Sequence, residues 1–418
     1  MKNFRLSPFT ITTLFKFLHA SLNYVSLLLI AQVFTTEDFG KIAIIFATVF
    51  FLTQVASLGQ PQVILRFWYK SKDLSKEDAS KFLYNRFLIN GFGLIIVTSI
   101  FPLFLGYTNF SSTEYFIICL GLLNFAIAEL NTSLGRVQER LIVAFLPRDV
   151  GWKLSVILLC VVSIGLETQI TANTFLLLNY AFLFIFVLPQ SLFLFGQIKT
   201  VGFTQTRNEG PNSGLSWFYF WMSNIMNSSG QNAYLIIFSW YLNAVEVGIL
   251  FAVIKTAQAA QLLQKSAAIS TASLFSNFFH QNKTDASLVH LKGISKRLVI
   301  MNLGILFVVV TFGEYILKLF GEEFGLGYYA LVILSVGSLI RATFGPNLTF
   351  LQMSNDDQIA FWISGASFII PFLCIPYVVG NFEIIGAVVL LVAHQLMLSL
   401  LSHLVVQRIY IRNRRNSS

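Results

Sequence analysis

SLLLIAQVFTTEDFG, residues 26–40, and YLIIFSWYLNAVEVG, residues 234–248, follow one pattern. Each is an apolar run ending in a short polar loop, an acid (Asp38, Glu246), one apolar residue and a glycine (Gly40, Gly248). A second apolar run follows each. Upstream, polar residues stand at matched places. Lys16, His19, Asn23 and Ser26 are spaced i, i+3, i+7 and i+10, and Asn224, Asn227, Gln231 and Tyr234 share that spacing. On a helix those intervals fall along one face. A polar stripe on an apolar helix turns from lipid, toward the protein interior or a watery cavity. The chain therefore reads as two parallel copies of one helical half, each of about six helices. Internal repeats of this kind are typical of secondary transporters.

Composition agrees with a membrane setting. The chain has 418 residues, of which 56% are hydrophobic and 11% charged, and a mean hydropathy of +0.71. Soluble domains carry about 25% charged residues, so this chain lacks the polar surface that keeps a protein of its size in water. Runs of about 20 apolar residues match the hydrocarbon thickness. Spans are expected near 9–33, 41–59, 83–106, 114–134, 150–167, 173–196, 215–241, 247–270, 298–319, 327–345, 358–379 and 383–407. Barrel strands would alternate polar and apolar residues, and these runs do not. The fold class is thus an all-α integral membrane protein of about twelve transmembrane helices. Its divisions are residues 1–200 (first lobe), 201–214 (linker), 215–408 (second lobe) and 409–418 (basic tail). The short basic start, Met1–Leu6, reads as the flank of an uncleaved first span.

The net charge of +9 is unevenly placed. One set of loops holds Arg66, Lys70, Lys72, Lys76 and Lys81; then Arg136, Arg140 and Arg148; then Lys199 and Arg207; then Lys283, Lys292, Lys296 and Arg297; the tail adds four arginines. The opposite loops are short and nearly free of cations. That asymmetry places both termini in the cytoplasm and explains the charge without a nucleic-acid partner. Membrane lipids are the expected surroundings. Cys119, Cys160 and Cys374 lie in apolar runs and read as buried small hydrophobes.

Ionisable groups inside spans are the functional candidates. Lys255 lies mid-span with no acid within one or two turns. It reads either as a fixed cation for an anionic substrate group, phosphate above all, or as half of an ion pair whose partner would be Glu129. The neutral amides divide evenly between cavity lining and interhelical bonding. Lys16, near a helix end, could also snorkel. Arg66 and Arg341 stand near helix ends, as guides for an anionic headgroup or as anchors. His394, with Glu129, is a candidate for ion coupling, or a packed neutral histidine. Pro189, Pro371 and Pro376 are kink positions. No phosphate-binding loop, GxSxG, HExxH or Cys/His zinc spacing occurs, so no ATP engine, metal or cofactor is expected. Asp356-Asp357 reads as a solvated turn, and the short outer loops speak against a membrane glycosyltransferase or polymerase.

The stretch LLLIAQVFTTEDFGKIAIIFATVFFLTQVASLGQPQVILRFW resembles the opening of the polysaccharide-biosynthesis flippases. These are the Wzx-type O-antigen exporters of the multidrug/oligosaccharidyl-lipid/polysaccharide (MOP) superfamily. Phe39-Gly40, Leu58-Gly59 and Arg66 occupy the family's places, VEVGILFAVIKTAQ resembles its second-half lysine segment, and ILKLFGEEFGLGYYALVILSVGSLIRATFGPNLTFLQ resembles its late Leu-Phe-Gly segment. The resemblance implies two six-helix bundles (MATE-like) flanking a cavity in a bacterial inner membrane. It implies alternating access that moves an undecaprenyl-diphosphate-linked oligosaccharide outward, driven by H+ or Na+, for surface polysaccharide (O-antigen, lipopolysaccharide or capsule type). Polysaccharide-assembly proteins are the expected protein partners. The cavity residues it implies are Lys16, His19, Asn23, Arg66, Asn224, Asn227, Gln231, Lys255 and Arg341. This sequence departs from the family in having few cavity cations. The cation-coupled drug exporters of the same superfamily are the close alternative. They usually carry an essential acid within a span, a place that Glu129 fills here.

Overall fold

Inside a bilayer no water bonds the backbone, so each span closes its amides within its own helix. The computed structural model describes residues 8–67, 76–104, 110–198, 216–258, 284–353 and 357–408, and among them the regular structure is entirely helical. The helices are α1 (Pro8–Val33), α2 (Thr36–Ala56), the short α3 (Gln60–Phe67), α4 (Lys76–Ile100) and α5 (Ser112–Val137). Then come α6 (141–165), α7 (Ala172–Ile198), α8 (216–238), α9 (244–258), α10 (Thr284–Lys318) and α11 (Tyr328–Phe344). The short α12 (Asn347–Met353), α13 (Asp357–Leu373) and α14 (Ile375–Val406) complete the set. Each of the twelve expected spans coincides with a helix, although 259–270 of the eighth lies outside the described residues. Eight of the helices are long and apolar enough to cross a membrane, and α13 is a shorter apolar one.

Two boundaries differ from expectation. The fifth span begins at 141 rather than 150, because α6 is three consecutive pieces: α-helix Leu141–Phe145, π-helix Leu146–Gly151 and α-helix Trp152–Gly165. Pro147 sits in the first turn of the π segment. The wider π turn relaxes the i−4 bond that proline cannot make, so Pro147-Arg148-Asp149 looks like a loop and folds as helix. Arg148 is therefore not a loop cation. The turn at 138–140 is tight, with Glu139 at φ 60° and the Arg140 amide donating to the Gly135 carbonyl at 2.8 Å. Likewise, Gly380–Glu383 is not an open loop. Helix α14 runs through it and breaks only at Glu383 (φ 49°, ψ −131°).

The chain divides into two compact units, Met1–Thr35 with Ile44–Trp221, and Thr36–Ala43 with Met222–Ser418. The expected linker 201–214 and tail 409–418 lie outside the described residues. In the first unit, polar side chains stitch helices whose lipid-facing surfaces gain nothing from apolar association. The Asn124 amide donates to the Tyr180 carbonyl at 3.0 Å, Asn131 to the Ser191 hydroxyl at 2.7 Å, Gln190 to the Val143 carbonyl at 2.7 Å, and the Trp152 indole to the Asn179 carbonyl at 2.9 Å. In the second unit, Phe39 is buried edge-on against Phe251, Phe320 and Phe324. Helix α10 leaves Ile300, Phe307, Val310 and Phe312 exposed. In water such a face would drive aggregation; in lipid it is the outer wall.

The repeated pattern acquires a physical meaning here. Glu246 accepts from the Asn243 amide (2.8 Å) while its own amide donates to the Asn243 side chain (2.9 Å), a capping box that starts α9. Thr35 and Asp38 hold the same two places in the first copy. The glycines beyond these acids abut. A methyl group on Gly40 would overlap the Ala244 carbonyl, and one on Gly248 would stand 2.7 Å from the Thr36 carbonyl oxygen and 3.2 Å from the Gly40 nitrogen. Gly40→Val is expected to cost about 1–3 kcal/mol or more, since backbone cannot yield as a side chain does. Gly304→Ala, with open space around it, should leave the thermal unfolding midpoint in detergent unchanged or slightly raised.

Candidate functional site

The first unit holds a chain of alternating charges. Asp149, in the π segment of α6, is fully buried, and its carboxylate accepts from Lys16 of α1 at 2.9 Å. Arg148 Nε bonds the other carboxylate oxygen at 3.1 Å. Arg148 Nη1 in turn lies 2.8 Å from Glu129 of α5, an ion pair without a well-aligned hydrogen bond. A His19 ring nitrogen is 3.3 Å from the Asp149 backbone carbonyl and 3.6 Å from its carboxylate. Lys153, one turn on and buried, stacks its ammonium 4.0 Å above the Trp152 ring. Two cations, Lys16 and Arg148, thus alternate with two acids. Burial is deepest at Asp149 and lessens on both sides of it: the side chains of Lys16, Asp149, Arg148 and Glu129 are 43%, 1%, 13% and 29% exposed. Lys16 is the member most able to leave its partner and meet another anion.

The second unit builds the equivalent site from neutral groups. Asn227 donates to the Ser364 hydroxyl of α13 at 2.9 Å, and the Tyr234 hydroxyl donates to the Phe368 carbonyl at 2.7 Å. Gln258 of α9 donates to Gln231 at 3.0 Å. The ties correspond across the repeat. Lys16 and His19 lie 133 and 130 residues before Asp149, and Asn227 and Tyr234 lie 137 and 134 before their partners. In both units the first helix is bonded to the fifth through its polar stripe. Interhelical bonding is therefore what Asn227 and Gln231 do in this structure. Asn224 and Asn23 are half-buried on the same stripes.

The remaining candidates are scattered. Lys255 is half-buried in α9, its ammonium 4.8 Å above the Phe251 ring. Glu129 is paired with Arg148, so the residue expected as a partner for Lys255 has its own cation. Arg341 lines a small pocket of about 90 Å3 with Thr349, Ser399 and Ser402. The side chain of Arg66 lies outside the described residues. His394 is buried, with Nδ1 2.9 Å from the Ser367 carbonyl and its ring packed between Tyr234 and Phe368. A carbonyl only accepts, so Nδ1 carries the proton, and the ring behaves here as a packed, hydrogen-bonded histidine. Sequence reading missed Asp149 and Lys153. The available signal was LIVAFL at 141–146, an apolar run long enough to begin a helix before Pro147.

No protein-family model and no curated protein sequence matches the chain. Solved structures do match its fold. It is similar to an inward-facing multidrug resistance MATE family transporter of the MOP superfamily (TM-score 0.71, 11% identity, covering 96% of each chain). It is also similar to the lipid II flippase MurJ in an inward closed conformation (0.69, 15%, covering 95% of this chain and 87% of that one). A third likeness is to a MOP superfamily transporter from Pyrococcus furiosus (0.64, 14%, 96% and 93%), for which reverse polarity of the binding pocket suggests a different function. At these identities the likeness establishes the fold: a multi-pass, all-helical, MATE-like membrane protein.

Removing the buried acid strands the cations around it. Asp149→Ala is expected to cost about 3–5 kcal/mol. Lys16→Met should cost about 1 kcal/mol or less, because Lys16 is 43% exposed and Arg148 still holds the carboxylate. Thermal unfolding of the purified variants in detergent measures both.

Proposed function

We propose that this protein is a flippase that moves an undecaprenyl-diphosphate-linked oligosaccharide across the bacterial cytoplasmic membrane by alternating access. The observation that carries this reading is the sign of the charge within the spans. Among the described residues, the acids that are not exposed and lie beyond the end turns of the apolar helices are Glu129 and Asp149, and each has a cation partner. Against them, also beyond the end turns, stand Lys16, Arg148, Lys153 and Lys255. A cation at bilayer depth costs about 3 kcal/mol, and an anionic cargo offsets that cost. A diphosphate headgroup matches the surplus, whereas a cationic drug would be repelled by it. The fold is used by a lipid flippase and by drug transporters alike, and charge polarity is what supports the flippase reading over the other. Reversed polarity is also what sets the Pyrococcus transporter apart.

In this reading Lys255 is the fixed cation and Lys16 the exchangeable one. Headgroup phosphate draws Lys16 from Asp149. The carboxylate oxygen that Lys16 leaves is then open to a coupling H+ or Na+, while Arg148 holds the other oxygen and Glu129 is next in the chain. Both termini face the cytoplasm, the side from which the substrate enters, and surface-polysaccharide assembly proteins act on the product.

The test is made in cells that rely on this protein for surface polysaccharide. Lys255→Ala is expected to lower polysaccharide at least tenfold at an unchanged membrane level, with drug susceptibility unaltered. Undiminished polysaccharide would remove Lys255 as a substrate contact. If Glu129→Gln instead raised drug susceptibility and spared polysaccharide, the protein would be a cation-coupled drug exporter.

A further inference from the structure

A cavity of about 570 Å3 in the second unit is lined by residues other than those of the neighbouring Arg341 pocket. It lies between the first turns of α10 and the last turns of α11 and α14, with α12 beside it. Lys292 and Lys296, both exposed and one turn apart on α10, line it. Val299, Ile300 and Phe344 form an apolar wall, and His403 adds a polar corner, bonded to Asn347 at 3.3 Å. No acid is among the described residues that line it.

The length of α10 fixes the depth of this cavity. Its 35 residues rise about 52 Å, against a hydrocarbon core of about 30 Å. The far end of the helix is marked by Lys318, paired with Glu314 at 3.1 Å. Counting about 20 residues back from Lys318 reaches Val299. Val299 and Ile300 therefore stand at the edge of the hydrocarbon, and Lys292 and Lys296 one to two turns beyond, at the level of lipid headgroups. Ile300 is 61% exposed, so the wall is open to acyl chains from the side. Cations at headgroup depth above an apolar wall at chain depth match one molecule in both respects.

We propose that this cavity binds an anionic glycerophospholipid of the surrounding bilayer, its phosphate held by Lys292 and Lys296 and an acyl chain laid along Val299 and Ile300. Basic pockets between membrane helices are suited to such headgroups. The site ties the loop-side ends of α10, α11 and α14 through a lipid, and it is independent of the transported cargo.

Native mass spectrometry of the full-length protein in detergent, with phosphatidylglycerol or phosphatidylcholine added, tests it. The wild type is expected to retain phosphatidylglycerol roughly tenfold or more over phosphatidylcholine. K292Q/K296Q should lose that preference with an unchanged thermal midpoint, since both side chains are exposed. R297Q, at the same depth but off the cavity, should keep it. Equal retention by wild type and double variant overturns the proposal, and so does an equal loss in R297Q. Displacement of phosphatidylglycerol by millimolar inorganic phosphate would show a free-anion site and overturn it as well.

Discussion

A carboxylate at 1% side-chain exposure inside a membrane helix persists only where cations converge on it, and the first unit is arranged around that demand at Asp149. The π turn of α6 is the device that meets it. By widening the helix over Leu146–Gly151, it sends two adjacent side chains to different neighbours. Asp149 reaches Lys16 on α1, and Arg148 reaches Glu129 on α5. One local irregularity thereby fixes three helices against one another. It does so with electrostatics, the interaction that a low-dielectric interior strengthens most when it is complete and penalises most when it is not.

The second unit meets the same geometric need without charge. Its first helix is also tied to its fifth, but through Asn227, Ser364, Tyr234 and the Phe368 carbonyl. Neutral bonds between membrane helices are individually weak. The copies share a frame and differ in how it is held. The ion pairs join α1, α5 and α6. The second unit adds packing, a buried histidine held by a carbonyl, and Lys255 on α9.

Much of this frame was legible in the sequence because it is written locally. Apolar runs of membrane length mark the long helices, and the matched loops mark the repeat. The meaning of the repeated acid and glycine was less accessible. Glu246 caps its helix and Gly40 meets Gly248, roles that depend on where two chain segments cross. The charged cluster was hidden for two reasons. Pro147-Arg148-Asp149 carries the signals of a turn, and only a π segment reconciles them with a helix. The partners also lie 133 residues apart, and pairing at that separation leaves no mark on spacing or periodicity. Glu129 is visible in the sequence as an acid in a span and offers itself as a partner for Lys255, while Arg148 reads as a loop cation.

The place of Arg148 bears directly on polarity. With Arg148 in a loop, Glu129 stands as an acid seeking a cation, the feature of a cation-coupled exporter. With Arg148 in the helix, each of the two interior acids has a cation from another helix, and the ammonium groups of Lys255 and Lys153 lie over aromatic rings. An aromatic face supports an ammonium by roughly 0.5–2 kcal/mol, without cancelling its charge. The acid that in the sequence looks like an exporter's is thus, in the fold, one half of an ion pair that ties α5 to α6.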